Sequence, residues 1–478
     1  MVNILNVLLD DIGLEQFNRF GRGSNYPATP TIDSWYDGGV RFTKHYVQQL
    51  CSPTRATCLT GVHPFRHGIG DLVRGPILSA STSAIRQGLS WPTTAMHLRQ
   101  HRVGVRTAAI GKWHVSTEYE GGLLAPGTLG FDHYSVNMFN LPGATLAGGS
   151  GGQNYYRWDK NVRGKLVSED EYMPAVNVRE AADWIKQRGS DPWMMHLAPY
   201  ACHTPLVPTG IPPTGTYNPA WNTATDNGAF KACIEAIDYY LGVLQSSIPP
   251  LIWQDTLVFL STDNGSGVGN SKLEVDPLTG TNYPDETSNR SKDTPYDGGT
   301  HTPLIVFNAG SLVTSPGRTI THPVMIADIA ATILDYYGVD PVLKSDGRYI
   351  GLDGRSLRGY LENTTSGPIH DFVYSEHFLQ NHGANVDTGE AFAVVMDKHR
   401  VENQWVAYDG QYTLIYNRPL ASTQTRENPN NYFEFYDLDA DPHQLTNLTP
   451  GGVTTSLTTA QAARRTALLE GRAVLLRS

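Results

Sequence analysis

Cysteine is scarce in this 478-residue chain: Cys51, Cys58, Cys202 and Cys233 are too few to hold a disulfide scaffold together. No apolar run approaches the roughly 18 residues needed to cross a bilayer. Basic residues are outnumbered, 36 Lys and Arg against 46 Asp and Glu, and the net charge is −10 with the histidines neutral. That field argues against nucleic acid and anionic membranes as partners. An anionic substrate would need a locally basic pocket. There is no internal repeat, and no basic leader or cleavage site precedes Asn3-Ile4-Leu5-Asn6-Val7-Leu8-Leu9. As it stands the chain is expected to be cytoplasmic, or periplasmic or secreted if a signal was removed. What is present is an ordinary globular composition, 40% hydrophobic, enough for a sizeable core. Length alone suggests about three domains, which one large α/β domain can absorb.

Apolar runs place the main elements. Residues 3–9, 106–110, 193–198, 256–261 and 304–307 read as buried strands. Helical spacing of apolar residues predicts helices over 93–102, 176–188, 230–244 and 323–338. A boundary is expected near residue 365, after Asn363-Thr364-Thr365-Ser366-Gly367-Pro368. Beyond it, strand-like runs at 372–377, 391–396, 405–408 and 411–416 suggest a meander, and a closing helix spans about 458–476. Residues 143–154 are rich in glycine, serine and alanine and lead into Tyr155, Tyr156 and Trp158, a loop with an aromatic patch.

Polar clusters sit where these runs end. Asp10-Asp11 closes the first strand, where open α/β sheets place their ligands. Such a pair is half of a site for a hard cation taking six to eight oxygens, or else a solvated turn. Cys51-Ser52-Pro53-Thr54-Arg55 opens a polar stretch, and a lone cysteine there reads equally as a small buried hydrophobe. Gly111-Lys112-Trp113-His114 follows another strand. Lys-x-His alternates along an extended chain, which points both side chains one way. Cys202-His203-Thr204-Pro205, Thr262-Asp263-Asn264-Gly265 and Lys292 ahead of Tyr296-Asp297-Gly298-Gly299 complete the set, with Tyr436 to Pro442 and Asn447-Leu448 near the end.

In this order, from residue 10 to residue 448, the clusters resemble the type I (formylglycine-dependent) sulfatase family of the alkaline-phosphatase-like superfamily. The resemblance implies a large α/β domain, residues 1–365, with a mixed, mostly parallel sheet between helices. A smaller C-terminal domain, 366–478, would carry an antiparallel sheet and a helix. It implies that a separate maturation enzyme oxidises Cys51 to formylglycine, and that Asp10, Asp11, Asp263 and Asn264, with residue 51, hold calcium. Phosphatases and phosphonate hydrolases of the superfamily carry histidine where Asn264 stands, and an all-oxygen set suits calcium or magnesium. Arg55, one turn after Cys51, would hold the aldehyde hydrate. Lys112 and Lys292 would contact sulfate, His203 would protonate the leaving group and His114 would serve the formylglycine. Two positions depart from or merely fit the pattern: Cys202 replaces the usual proline, and His301 stands where arginine or histidine is usual.

The chemistry has its own logic. A serine attacking a sulfate ester would be left as a slowly hydrolysing serine sulfate. An aldehyde hydrate attacks with one hydroxyl and later expels sulfate by collapse of the other. The expected activity is hydrolysis of a small-molecule or saccharide sulfate monoester. The rival enzyme is a phosphonate monoester or phosphodiester hydrolase, and the rival outside catalysis is a binding protein on the same fold. Pocket walls are expected from residues 140–160, 208–228 and 266–291, whose aromatic residues suit an aryl ring or the face of a sugar.

Overall fold

The computed structural model describes residues 2–73, 89, 91–101, 104–116, 122–140, 154–204, 206, 210–267, 290–340, 343–345, 348–378, 402–417 and 433–476. The run 391–396 and nearly all of 143–154 and 266–291 lie outside the described residues.

The large sheet is built on β1 (Asn3–Leu9), whose seven residues are all buried. Chain order then supplies β2 (Val40–Tyr46), β3 (Arg106–Lys112), β4 (His133–Asn137), β5 (Trp158–Val162), β6 (Lys165–Glu169), β7 (Trp193–Ala198), β8 (Thr256–Thr262), β9 (His301–Phe307), β10 (Arg318–Ile320) and β11 (Val324–Met325). They are ordered β10-β2-β9-β8-β1-β7-β3-β4-β5-β6, with β11 against β2. The centre, β8-β1-β7-β3-β4, is parallel throughout, and β9, β5 and β6 turn antiparallel outside it. A parallel strand covered on both faces reads as a continuous apolar run, which explains the legibility of 3–9, 193–198 and 256–262.

Alternation along β1 splits the core into two layers. Ile4 and Leu8 join the helices Cys51–Thr60, Thr94–His101 and Ala327–Tyr336 on one face, through Ala56, Leu59, Leu98, Ile329 and Ile333. Leu5, Val7 and Leu9 face Met173–Lys186 and Asp226–Ser247, through Ala181, Ile185, Phe230, Ile234, Ile237, Leu241 and Leu244. The longest of these helices starts where Thr225 accepts a hydrogen bond from Gly228 N. Each fully buried Leu, Ile or Phe on its inner face contributes about 1.5–3 kcal/mol.

One expected helix differs. The stretch 323–338 begins as β11 against β2, and the helix starts only at Ala327. Asp328 Oδ2 accepts from Met325 N at 2.8 Å, which holds that residue in the extended segment before the helix.

After the short pair β12 (Leu343–Ser345) and β13 (Arg348–Ile350), a second sheet runs β14 (Val373–Phe378), β15 (Glu402–Tyr408), β16 (Tyr412–Asn417) and β17 (Phe433–Asp437), antiparallel in that order. The helix Thr459–Leu475, opened by a Thr458–Gln461 capping box, buries Leu468 against Trp405, Leu414 and Phe435. The second sheet is fastened to the first near the loops that follow β2. Glu376 N donates to Gln48 Oε1 at 2.9 Å, Phe65 N donates to Glu376 Oε1 at 2.7 Å, and Tyr46 and Met325 pack on Val373 and Tyr408.

Candidate active site

Four neighbouring parallel strands, β8, β1, β7 and β3, end at one edge of the sheet, and each ends in one of the polar clusters. Leu9 pairs with Thr262, so Asp10-Asp11 and Asp263-Asn264 leave the sheet side by side, and Asp11 N donates to Asp263 Oδ1 at 3.1 Å. Close packing of β3 on β7 requires Gly111, since a Cβ there would lie 2.0 Å from Ala198 O. Lys112 then ends β3 with Nζ 2.8 Å from both oxygens of Asp10.

Cys51 opens its helix at this edge, after Leu50 in extended conformation. Its Sγ lies 3.8 Å from Asp11 Oδ1 and 3.4 Å from Lys292 Nζ, and Lys292 Nζ donates to Asp11 Oδ1 at 2.5 Å. Arg55 lies one turn along the helix and is fully buried. Its Nε and Nη2 both donate to Asp263 Oδ2, at 3.0 and 2.6 Å, its Nη2 lies 3.4 Å from Asp10 Oδ1, and its Nη1 donates to Lys112 O at 3.2 Å. The guanidinium is committed to the carboxylates, whereas the resemblance implied a grip on residue 51. His203, on the turn after β7, brings Nε2 to 3.9 Å from Asp11 Oδ2, while its Nδ1 bonds Thr204 O at 2.6 Å. Donor atoms of Asp11, Cys51 and His203 lie within 4.8 Å of one another, and so do those of Asp10, Asp11, Cys51 and Asp263.

His114 departs from the expected alternation. The strand ends at Lys112 and His114 has φ 56°, so the segment is not extended there. His114 Nε2 bonds Val73 O at 2.9 Å, which makes it the protonated nitrogen, and Nδ1 is buried without a hydrogen-bond partner. Tyr200 is a residue the motifs did not single out. It lies buried beneath Lys112, with Nζ 5.3 Å from the ring centre, and 5.7 Å from the His203 ring. The one signal for it was its place between a strand end and His203. His301 belongs elsewhere: it pairs with Asp297 at 3.0 Å, beside Arg22 and Tyr46.

Burial and charge pull against each other here. Complete burial pushes Asp10 up to about 7, and the Lys112 ion pair offsets only part of it, with Asp263 and Asp11 repelling in addition. For Asp11 burial is outweighed by Lys292, then His203 and Lys112, and its carboxyl is held well below the usual range. Burial pushes the Cys51 thiol up to about 12 despite both lysines. His203 is pushed down to about 3 by burial and then Lys112, and His114 falls well below its usual value for the same reasons with Arg55 added.

The carboxylate cage fits a divalent cation. Three buried carboxylates crowd together, and Asn264 Oδ1 is buried beside them without a hydrogen-bond partner while its Nδ2 donates to Asp11 Oδ1 at 2.8 Å. An orphaned amide oxygen among carboxylates is the donor set of a hard cation.

Cys51 is thus buried beside Lys292 and the carboxylates of Asp10, Asp11 and Asp263, with His203 within 4.8 Å. The sequence matches the sulfatase family profile over residues 2–339. It is 25% identical to human arylsulfatase A over 492 aligned positions, covering 98% of this chain and 88% of that one. It is 27% identical to the N-acetylgalactosamine-6-sulfatase of Canis lupus familiaris over 366 positions, 73% of this chain and 65% of that protein. Among solved structures it superposes on the phosphonate monoester hydrolase of Agrobacterium radiobacter with a TM-score of 0.64 and 19% identity, covering 100% of this chain and 96% of the other. The chain belongs to the sulfatase family: it is a sulfuric ester hydrolase of the arylsulfatase kind on an alkaline-phosphatase-like fold. Among the described residues no helix is long and apolar enough to cross a membrane.

Proposed function

We propose that this sulfatase hydrolyses a sulfate monoester through a formylglycine hydrate at position 51, with calcium held by Asp10, Asp11, Asp263 and Asn264. The single observation that carries the reading is the setting of Cys51 Sγ, which lies 3.4 Å from Lys292 Nζ, against Asp11 and within 4.8 Å of His203. That sulfur stands in for an oxygen of the hydrate, because oxidation replaces the thiol by an oxygen on the same carbon. As a thiol the residue stays protonated at neutral pH and is a poor nucleophile. Calcium, when bound, supplies Lewis-acid stabilisation of a sulfate oxygen.

The residues divide the remaining work. Lys112 and Lys292 neutralise the sulfate in a water-poor site, where fixed charge is worth several kcal/mol. One hydrate hydroxyl passes its proton to Asp11, whose Oδ1 lies 3.8 Å from Cys51 Sγ, as the hydroxyl oxygen attacks sulfur in line. The bond from sulfur to the ester oxygen breaks, and His203 gives that oxygen a proton from Nε2. The anionic ester, lying between the lysines, would offset the part of the His203 depression that Lys112 and Lys292 add to that of burial, which favours the protonated form. His114 accepts the proton of the second hydroxyl at Nδ1, the bond from carbon to the sulfated oxygen breaks, and the aldehyde re-forms as sulfate leaves. Arg55 holds Asp263 and Asp10 in place.

Aryl sulfates are the substrates of first choice, in line with the human relative, and a sulfated saccharide is the natural alternative that the canine relative suggests. Two measurements test the reading. Intact mass of the Cys51 peptide from the native host shows sulfur exchanged for a carbonyl oxygen, and Cys51→Ser turns over at most once. Sustained turnover by that variant refutes the covalent scheme. A phosphonate monoester or phosphodiester hydrolase is the second reading, which the shared fold favours and Asn264 disfavours. Faster turnover of an aryl phosphodiester than of the matching aryl sulfate would establish it.

A further inference from the structure

Behind His203 lies a stack of tyrosines that no step above uses. Tyr155 is buried, stacks on Tyr172 with ring centres 5.9 Å apart, and meets Tyr200 edge-on at 5.6 Å. Its own carbonyl accepts from Met173 N at 2.9 Å, which ties it to the start of the helix Met173–Lys186. From this platform the phenol hydroxyl donates to the backbone carbonyl of His203 at 2.7 Å. Burial keeps that phenol protonated, and so a donor.

The turn it grips is under strain. Cys202, immediately before His203, has φ 72°, a left-handed conformation that a residue with a Cβ adopts at a cost. At the other end of the turn Asn177, from the same helix, accepts from Tyr200 N at 3.4 Å. The helix Met173–Lys186 therefore holds the Tyr200 end directly and the His203 end through Tyr155, and the Tyr200 ring lies against both His203 and Lys112.

We propose that Tyr155 is a positioning residue for leaving-group protonation, whose hydroxyl holds the His203 backbone so that Nε2 stays directed at the position-51 side of the pocket. The inference rests on the general-acid role given to His203 above. Proton transfer requires heavy atoms about 2.6–3.2 Å apart. Loss of the hydroxyl lets the strained turn relax and moves Nε2, and leaves the lysines that bind sulfate where they are.

The test compares wild type, Tyr155→Phe, His203→Ala and the double variant on aryl sulfates ranging from 4-nitrophenyl, a good leaving group, to unsubstituted phenyl, a poor one. Tyr155→Phe is expected to lower kcat/KM about tenfold or more on phenyl sulfate and less than about threefold on 4-nitrophenyl sulfate. That is part of the about 10²–10⁴-fold a general acid supplies. In the His203→Ala background the same change adds no further leaving-group dependence. A uniform loss across the series, or none, overturns the role of Tyr155. A flat response of His203→Ala itself shows instead that the general-acid reading has failed. A second readout needs no turnover. In calcium-free, unmodified protein the ¹⁵N imidazole signals of His203 form one sharp set in wild type, and broaden or split in Tyr155→Phe and, more weakly, in Asn177→Ala. Unchanged signals in both variants refute the proposal.

Discussion

Replacing Arg55 by methionine is the sharpest perturbation of the site, because it removes a charge and keeps most of the shape. The described cluster sets three buried carboxylates, Asp10, Asp11 and Asp263, against three cations, Arg55, Lys112 and Lys292. Arg55 alone gives Asp263 Oδ2 two hydrogen bonds, and Lys112 is already engaged with Asp10. Without Arg55 a fully buried carboxylate loses its principal partner, which typically costs about 3–5 kcal/mol. The variant's site also carries one more net negative charge, so the calcium proposed above would contribute a larger share of its folding free energy. A ligand at 100 times its dissociation constant contributes about 2.7 kcal/mol. The urea unfolding midpoint of Arg55→Met is therefore expected to fall sharply in EDTA, and calcium is expected to raise the variant's midpoint more than the wild type's. A loss equivalent to less than about 1 kcal/mol, or one that is the same in EDTA and in calcium, would refute the assignment of Arg55 to the carboxylates. It would return the residue to the grip on position 51 that the family resemblance implied.

Two further outcomes follow from named contacts. Asn264→Ala removes the orphaned Oδ1 and the donor to Asp11, and calcium titration calorimetry should show affinity weakened about tenfold or more with folding retained in calcium. Unchanged affinity would place the ion elsewhere. His377, reaching from β14 to within 3.5 Å of Asp71 and 3.6 Å of Asp293, is held above its usual pKa, since the two carboxylates outweigh its burial. A folded pKa raised in this way contributes stability that is fully present below the unfolded value of about 6.5 and is lost as pH rises through the folded value. His377→Gln should thus destabilise at about pH 6 and have little effect above the folded pKa, read as urea midpoints against pH. An effect that grows with pH would contradict the ion pair.

The primary structure by itself determined which residues are available and where along the chain they sit. Central parallel strands are buried on both faces, so 3–9, 193–198 and 256–262 show as plain apolar runs, and the polar clusters stand out where those runs stop. Edge elements were less legible. β5 and β6 join through Arg163-Gly164, both at positive φ, a two-residue turn without the usual Asn-Gly signal, and β11 borrowed the apolar spacing of the helix that follows it. Only the tertiary structure decided the order β8-β1-β7-β3, because strand neighbours are chosen by pairing between residues far apart in the chain. That order sets Asp10 beside Asp263 and brings Lys112 onto Asp10. It also decided the direction of side chains that local spacing left open. Arg55 shares its helix with Cys51, and its Nε and Nη2 both donate to Asp263, because a buried guanidinium and a buried carboxylate each need a charged partner. His114 leaves the strand's alternation because its own backbone turns left-handed beyond the last strand residue.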